Sequence, residues 1–343
     1  MTTCLGCYKK LPNNQLRFCG KCASLLFEGR TVAPQLAFLL SDLPQEYQTL
    51  LIEAIKRTSI SGVQFKASMR LVGNVLELSK ETGELEYILK PPPRSLDLRN
   101  AEAVPANEHL TMQLARQVFK LNVAPCALLR FADGAPSAYL TRRFDVTPLG
   151  RRHQEDFAQI GQFSRATHGP NYKYDAASYE YVGELIRRYV AAAPLALDEF
   201  FRVILFNYLV GNGDAHLKNF SLYRLIEREE YVLTPAYDLL NTALHVDGEN
   251  GLAMPLFKDD YETPSFAANA YLAYDDFAEF GRRLGLPARR VQKLLADIVG
   301  HDTAIQALLD RSCLPVGLRE RYAAVVASRR QRLEYSFSKE SRP

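Results

Sequence analysis

Two groups of residues in this 343-residue chain have types and spacing that chemistry requires. The first runs from Gly213 to Ser221 and contains Asp214, His216, Lys218 and Asn219. Phosphoryl transfer asks a protein for positioning and charge neutralisation more than for covalent chemistry. A carboxylate orients the attacking hydroxyl, further side chains hold the metal ions that bridge the phosphates, and a lysine holds the nucleotide. Asp214 and Asn219 are spaced as D-x-x-x-x-N, the interval at which one loop carries a base aspartate and a metal-binding asparagine. Asp238 follows the strand-like run Tyr231–Leu233 and suits a metal-binding aspartate at the end of a β-ribbon. Lys90 ends the strand-like run Tyr87–Lys90, and Glu108 lies 18 residues on, where the next helix opens. Together they match the lysine–glutamate ion pair of a nucleotide site. Ser59 to Lys66, around Gly62, Val63 and Gln64, is placed to cover phosphates with backbone N–H groups.

The second group is Cys4, Cys7, Cys19 and Cys22, spaced C-x2-C-x11-C-x2-C. Two such knuckles supply the tetrahedral S4 set that Zn2+ accepts. A disulfide framework is the competing assignment, and it belongs to oxidising compartments. With four sulfurs the metal has no open position, so the zinc is expected to be a structural staple, separable from catalysis. Cys126 and Cys313 stand alone and are expected to be ordinary buried cysteines.

The elements that must position these groups follow from periodicity. Runs 64–71, 75–78, 87–90, 127–131 and 137–144 read as strands, with a turn at Asp133–Gly134. Pro105 starts a helix with Leu110, Leu114, Val118 and Leu121 on one stripe. A helical, mixed segment is expected over 32–56, and a helical pattern from His153 onward. The clearest stripe is Leu197, Phe200, Phe201, Ile204, Leu205, Tyr208 and Leu209, and the helix must stop at Gly211. Later helices are expected at 274–284, 287–299 and 317–337. Hydrophobic residues at 47% and charged residues at 24% describe an ordinary soluble globular chain and exclude a disordered, collagenous or coiled-coil one. The length suits two lobes. No apolar run reaches the ~18 residues of a membrane span, and Met1 is not followed by a signal peptide, so a cytoplasmic protein without membrane contact is expected. The net charge of +3 is carried partly by scattered arginine pairs and not by one basic tract.

In their order, the segments 59–66, 88–91, 107–112, 143–145, 153–157, 213–221 and 237–240 resemble the HipA-like Ser/Thr kinases of bacterial toxin–antitoxin systems. The resemblance runs from about residue 30 to 335 and implies an α+β, bilobal protein-kinase-like fold. The expected domains are a zinc ribbon over 1–30, a β-rich N-lobe over 31–145 and a helical C-lobe over 146–343. The resemblance implies that Lys90 binds ATP phosphates, Asp214 is the base, and Asn219 and Asp238 hold Mg2+. Thr141, Arg142, Arg143 and Phe144 become the hinge that meets adenine, and His216 and Lys218 shape the loop or assist the phosphate. Ser59 and Ser61 match autophosphorylation sites. The sequence lacks an N-terminal subdomain of longer members and in that respect is similar to the short HipT kinases. The resemblance then implies a HipS-like small partner and a HipB-like helix-turn-helix antitoxin, with DNA met only through the antitoxin. The segment from Val32 to Leu40 is the expected contact for the small partner. Known members phosphorylate aminoacyl-tRNA synthetases, which implies that target class. Two other functions fit the same fold: a small-molecule kinase, and a non-catalytic binding protein. The presence of all the polar catalytic types argues against the latter.

Overall fold

The computed structural model describes residues 3–12, 18–43, 65–79, 86–94, 98–228, 230–247 and 251–340. Ser59, Ser61, Gly62, Val63 and Gln64 therefore lie outside the described residues. A five-stranded antiparallel sheet is built from β1 (Ala67–Val72), β2 (Val75–Leu78), β3 (Tyr87–Lys90), β4 (Cys126–Leu129) and β5 (Ala138–Arg142), in the order β2-β1-β3-β5-β4. Lys90 pairs with Tyr139 and Ile88 with Thr141 across β3 and β5. Because side chains alternate along a strand, Tyr87 and Leu89 face one side and Lys90 the other.

The two faces are covered differently. Tyr87, Leu89, Ala138 and Leu140 share a core with Cys4, Leu5, Phe18, Cys22, Leu26 and Phe27 of the cysteine-rich N-terminus. That N-terminus includes helix α1 (Gly20–Phe27). Its attachment is also polar: the Leu128 amide donates to the Leu5 carbonyl at 2.9 Å, and the Tyr87 hydroxyl to the Leu26 carbonyl at 2.8 Å. On the opposite face lies helix α2 (Val104–Gln117), started by Pro105, whose missing N–H costs nothing in the first turn. Leu110, Met112 and Leu114 of α2 join Tyr139 and the large helical core.

The helical half contains α3 (Tyr179–Tyr189), α4 (Ala193–Val210), α5 (Tyr274–Arg283), α6 (Ala288–Ile298), α7 (Asp302–Arg311) and α8 (Val316–Glu334). The α4 stripe predicted from sequence is buried along its length. Two small ribbons complete the fold: β6 (Val146–Thr147) with β7 (Gly150–Arg151), and a three-stranded sheet of β8 (Gln154–Asp156), β9 (Ser221–Arg224) and β10 (Tyr231–Leu233) in the order β10-β9-β8.

Several expectations are corrected. Residues 32–43 are not helical apart from a short turn at Leu40–Asp42; the remainder of 32–56 lies outside the described residues. Pro34 and Leu36 bind along the edge of the large sheet: the Arg130 amide donates to the Pro34 carbonyl and the Leu36 amide to the Arg130 carbonyl. Val32 and Leu36 are thereby buried in the core of the sheet and not displayed as a docking stripe. His153 is followed by strand β8 and not a helix, because β9 recruits residues 154–156 as its partner. Helices α3 and α7 were not anticipated as separate elements. Cys313 is exposed, in the turn between α7 and α8.

Gly211 caps α4 with φ +67°, and a Cβ there would stand 2.8 Å from Val325 Cγ1 of α8. Both the left-handed backbone and the contact penalise any side chain. Gly211→Ala is expected to destabilise the protein by roughly 1–2 kcal/mol from backbone conformation alone, with further loss from the contact. Chemical denaturation of the purified variant checks this; an unchanged midpoint would contradict it.

Candidate active site

Lys90 is the centre of the site. It ends β3 on the face turned to α2 and is only 2% exposed. Its ammonium reaches Glu108 Oε1 of α2 at 2.5 Å and also contacts Asp238 Oδ1 directly. The Tyr139 ring lies 5.3 Å below it. Burial opposes the Lys90 charge, but Asp238 and Glu108 outweigh it and raise its pKa above the lysine range. Burial raises the Glu108 pKa, only partly offset by Lys90. Burial also acts to raise Asp238, yet Lys66 and Lys90 hold it well below the usual carboxylate range, so it is ionised at neutral pH. Lys66, just before β1, supplies a second contact to Asp238 at 3.3 Å.

Asp238 adopts φ +57°, a left-handed conformation that costs a non-glycine residue on the order of 1 kcal/mol. Two lysines on its carboxylate and a fixed chain on either side hold it there. On one side, Tyr237 bonds the Ser221 hydroxyl and the Lys218 carbonyl. On the other, Thr242 is tied to the 211–214 loop: its hydroxyl donates to the Gly211 carbonyl at 3.1 Å and accepts from the Gly213 amide at 2.8 Å. The aspartate loops 211–219 and 237–242 are thus one connected unit.

Asp214 follows that tie. Its amide is held by Asn212 Oδ1 at 3.2 Å, and the Tyr174 hydroxyl donates to its carboxylate. Asn219 ends a short 3-10 turn, and its Oδ1 accepts from the His216 amide at 3.1 Å, closing the loop on itself. His216 is buried with its ring edge-on to Tyr174 at 4.9 Å; burial, with the Lys173 charge, lowers its pKa to about 3, so it is neutral. Lys218 points outward, 3.8 Å from Asp156.

The four hinge candidates diverge. Thr141 Oγ1 donates to the Pro125 carbonyl, and Arg142 pairs with Glu28 at the end of α1. Arg143 and Arg151 both grip Asp145. Only Phe144, 5.7 Å from the Tyr237 ring, packs its side chain against the Asp238 segment. Tyr174 and Thr242 were not among the sequence candidates, and Lys66 and Tyr237 entered only as members of the segments 59–66 and 237–240. Lys66 was findable, as a lone cation at a strand entrance. Tyr174 reaches across 40 residues from a short helical turn and carries no local signal.

A second clamp joins the lobes. Asn107, beside Glu108 on α2, donates to the Asn241 carbonyl at 2.8 Å and accepts from the Asn241 amide at 3.2 Å. It also meets His245 Nε2 at 2.9 Å. His245 Nδ1 donates to the Arg99 carbonyl at 2.8 Å, so Nε2 is the acceptor and the ring is neutral.

The sulfurs of Cys4, Cys7, Cys19 and Cys22 all lie within 4.8 Å of one another. Cys7 and Cys19 are 3.6 Å apart, too far for a disulfide and close to the ~3.8 Å edge of a tetrahedron with Zn–S near 2.3 Å. Cys4 Sγ accepts from the Gly6 and Cys19 amides, bonds that favour thiolate. A Cβ on Gly6 would meet Cys22 Sγ at 2.8 Å, so the knuckle closes only around glycine. This donor set fits Zn2+. No helix among the described residues is long and apolar enough to cross a membrane.

Residues 58–305 match the HipA-like C-terminal domain. The chain belongs to the HipA-like kinase family. The serine/threonine-protein kinase toxin HipA of Shewanella oneidensis is 29% identical over 268 residues, covering 71% of this chain and 58% of that protein. Y4dM of Sinorhizobium fredii, a kinase by inference, is 34% identical over 62% of this chain and 53% of its own length. A Haemophilus influenzae protein, also a kinase by inference, is 27% identical over 79% of this chain and 80% of its own. The chain thus spans little more than half the length of two of these relatives. The solved Shewanella HipA complex with HipB and operator DNA superimposes with a TM-score of 0.65 at 24% identity, covering 91% of this chain and 78% of that one. The HipA fold is therefore shared.

Two predictions follow from these contacts. Lys90→Met strands a buried carboxylate, and breaking a buried ion pair costs about 3–5 kcal/mol. Lys66→Met removes an ammonium that is 47% exposed and should cost less than about 1 kcal/mol. Urea unfolding of the two variants side by side tests the contrast, and equal losses would refute it. The pH dependence concerns His245, whose pKa burial lowers from 6.5 to about 4. The folded state then binds fewer protons than the unfolded one. Its contribution to stability is complete above pH 6.5, falls at up to ~1.4 kcal/mol per pH unit below that, and is lost by about pH 4. His245→Gln should flatten the stability profile in that window, as read by thermal unfolding at stepped pH.

Proposed function

We propose that this chain is an ATP-dependent serine/threonine protein kinase, acting in the cytoplasm as the toxin of a HipBA- or HipBST-like toxin–antitoxin system. The observation that carries the reading is the buried Lys90 held between Glu108 of α2 and Asp238 of the loop beyond β10. That arrangement serves to present an ammonium to the α- and β-phosphates of a nucleotide. Asp214 orients the acceptor hydroxyl and takes its proton, with Tyr174 fixing the carboxylate. Asn219 and Asp238 are the side chains that would hold Mg2+, which supplies neutralisation of the phosphate charge when bound. Asp238 is ionised and its side chain 21% exposed, which suits a ligand to an entering cation. Of the hinge 141–144, Phe144, which packs on Tyr237, is the proposed contact for adenine, and His216, neutral and buried, is proposed to shape the loop. The cysteine knuckle holds structural Zn2+.

A HipB-like antitoxin is the proposed partner, by analogy with the Shewanella complex, in which HipA is found with HipB and operator DNA. DNA would be met through that antitoxin. A HipS-like small protein is proposed as a second partner and an aminoacyl-tRNA synthetase as the target. Autophosphorylation is proposed at Ser59 or Ser61, beside the phosphate-covering segment.

The test is transfer of label from γ-labelled ATP to protein in a cell lysate. Asp214→Asn should lower transfer by roughly 10^2–10^4 while leaving nucleotide binding nearly intact. Asp238→Ala and Asn219→Ala should weaken Mg·ATP binding by calorimetry. Wild-type labelling by Asp214→Asn would overturn the base assignment, and absence of any labelled protein band would overturn the protein-kinase reading. Intact mass of the overexpressed wild type reads the Ser59 and Ser61 proposal directly. Co-expression with neighbouring reading frames, followed by size-exclusion chromatography, tests both partners.

A further inference from the structure

The cysteine knuckle does more than cover the sheet, because two of its residues grip the helix that carries Glu108. Cys7 is a knuckle ligand. Its carbonyl accepts from Gln117 Nε2 at 3.0 Å, near the end of α2. Tyr8, the next residue, meets His109 Nδ1 through its hydroxyl at 2.7 Å, with the rings edge-on at 4.8 Å. His109 and Gln117 are eight residues apart, two turns or ~12 Å of helix. One dipeptide therefore holds α2 at two heights along its axis.

Tyr8 is unlike its neighbours in the knuckle. It is fully buried and packs with the large helical core, whereas Cys4, Leu5 and Cys22 belong to the core on the other face of the sheet. Its backbone is left-handed at φ +60°, a conformation that costs a tyrosine on the order of 1 kcal/mol or more. The Cys4 carbonyl fixes that turn by accepting from both the Cys7 and Tyr8 amides. Closure of the sulfur cluster, the strained turn and the hydroxyl on His109 are thus consecutive along five residues. Glu108, adjacent to His109, meets Lys90 at 2.5 Å, and both side chains are buried. A shift of α2 by about one ångström would stretch that contact beyond ordinary hydrogen-bond length.

We propose that the knuckle is a positioning element of the active site: a tetrahedral cation on the four cysteines holds Cys7 and Tyr8 in the geometry that keeps α2 where Glu108 meets Lys90. Tyr8 and His109 are positioning residues, and metal loading and nucleotide binding are coupled through α2. The link to nucleotide rests on the kinase reading above; the link from metal to helix does not. It also replaces the expectation of a zinc staple separable from catalysis.

The experiment uses the full chain, zinc-loaded and after chelation, with metal counted by elemental analysis. Hydrogen–deuterium exchange is read over 104–117, with 193–210 of α4 as the internal reference. Variants are Tyr8→Phe, which removes only the hydroxyl, and Phe18→Leu, which loosens the knuckle core away from α2. Chelation and Tyr8→Phe should each speed exchange in 104–117 by about tenfold, the worth of one buried hydrogen bond, and leave 193–210 unchanged. Phe18→Leu should leave 104–117 as in wild type. Re-addition of Zn2+ should restore the chelated wild type but not Tyr8→Phe. In parallel, calorimetry should show Mg·ATP binding weakened several-fold by chelation. A chain that holds no metal, exchange in 104–117 unmoved by both perturbations, or equal loss of protection in 193–210 would overturn the proposal. If the zinc-loaded wild type binds no Mg·ATP while the exchange result stands, it is the kinase reading that fails.

Discussion

A buried ammonium without partners would cost several kcal/mol, and Lys90 is almost wholly enclosed. It is stable only because carboxylates arrive from two separate parts of the chain, Glu108 on α2 and Asp238 beyond β10. Most of the remaining architecture can be understood as what brings those two groups to one point. The β3–β5 register points Lys90 to the α2 face, the Asn107 clamp joins α2 to the segment at Asn241, and Thr242 ties that segment to the end of α4. Each of these links is a hydrogen bond between groups far apart in sequence. The site is therefore a property of how the halves of the fold meet, and no single element contains it.

That distribution explains what could be seen in the sequence. The strands β2, β3 and β10 and helices α2 and α4 were legible, because alternation or a helical stripe is written into consecutive residues. Lys90 and Asp238 stood out at or beyond the ends of strand-like runs, Asp214 and Asn219 by their D-x-x-x-x-N spacing, and Glu108 by its place where the next helix opens. The order of these residues along the chain added information that no one of them carried. By contrast, strand β8 exists only because β9 lies beside it, and the stretch around Gln35 is extended because the edge at Arg130 takes the backbone groups of Pro34 and Leu36. Periodicity over three to ten residues cannot register a partner tens of residues away. Tyr174 and Thr242 escaped for the same reason, since an aromatic hydroxyl or a threonine has meaning only against the atom it reaches.

The cysteine spacing was the most specific local signal, yet it pointed only to a metal and not to what the metal supports. A C-x2-C pair describes the geometry of its own turn. Nothing in it foretells that the residue after the second cysteine will leave the turn with a left-handed backbone and enter a different core. Tyr8 carries that information, and it does so through one hydroxyl and one ring. The shared core between knuckle and sheet likewise makes the N-terminal segment part of the small lobe's packing.

Counted formally, the two lysines and two carboxylates that meet at the centre of the site sum to zero: Lys90 and Lys66 against Glu108 and Asp238. The molecule holds no surplus positive charge there for an anion to claim. A phosphate arriving alone would have to draw Lys90 away from one of its carboxylates and leave that carboxylate facing it. A phosphate arriving with its own cation brings a new partner for Asp238 at the moment Lys90 is taken. On the proposed kinase reading, this neutrality makes the pocket a filter on how its visitor is escorted, favouring a metal-bound polyphosphate over a bare one.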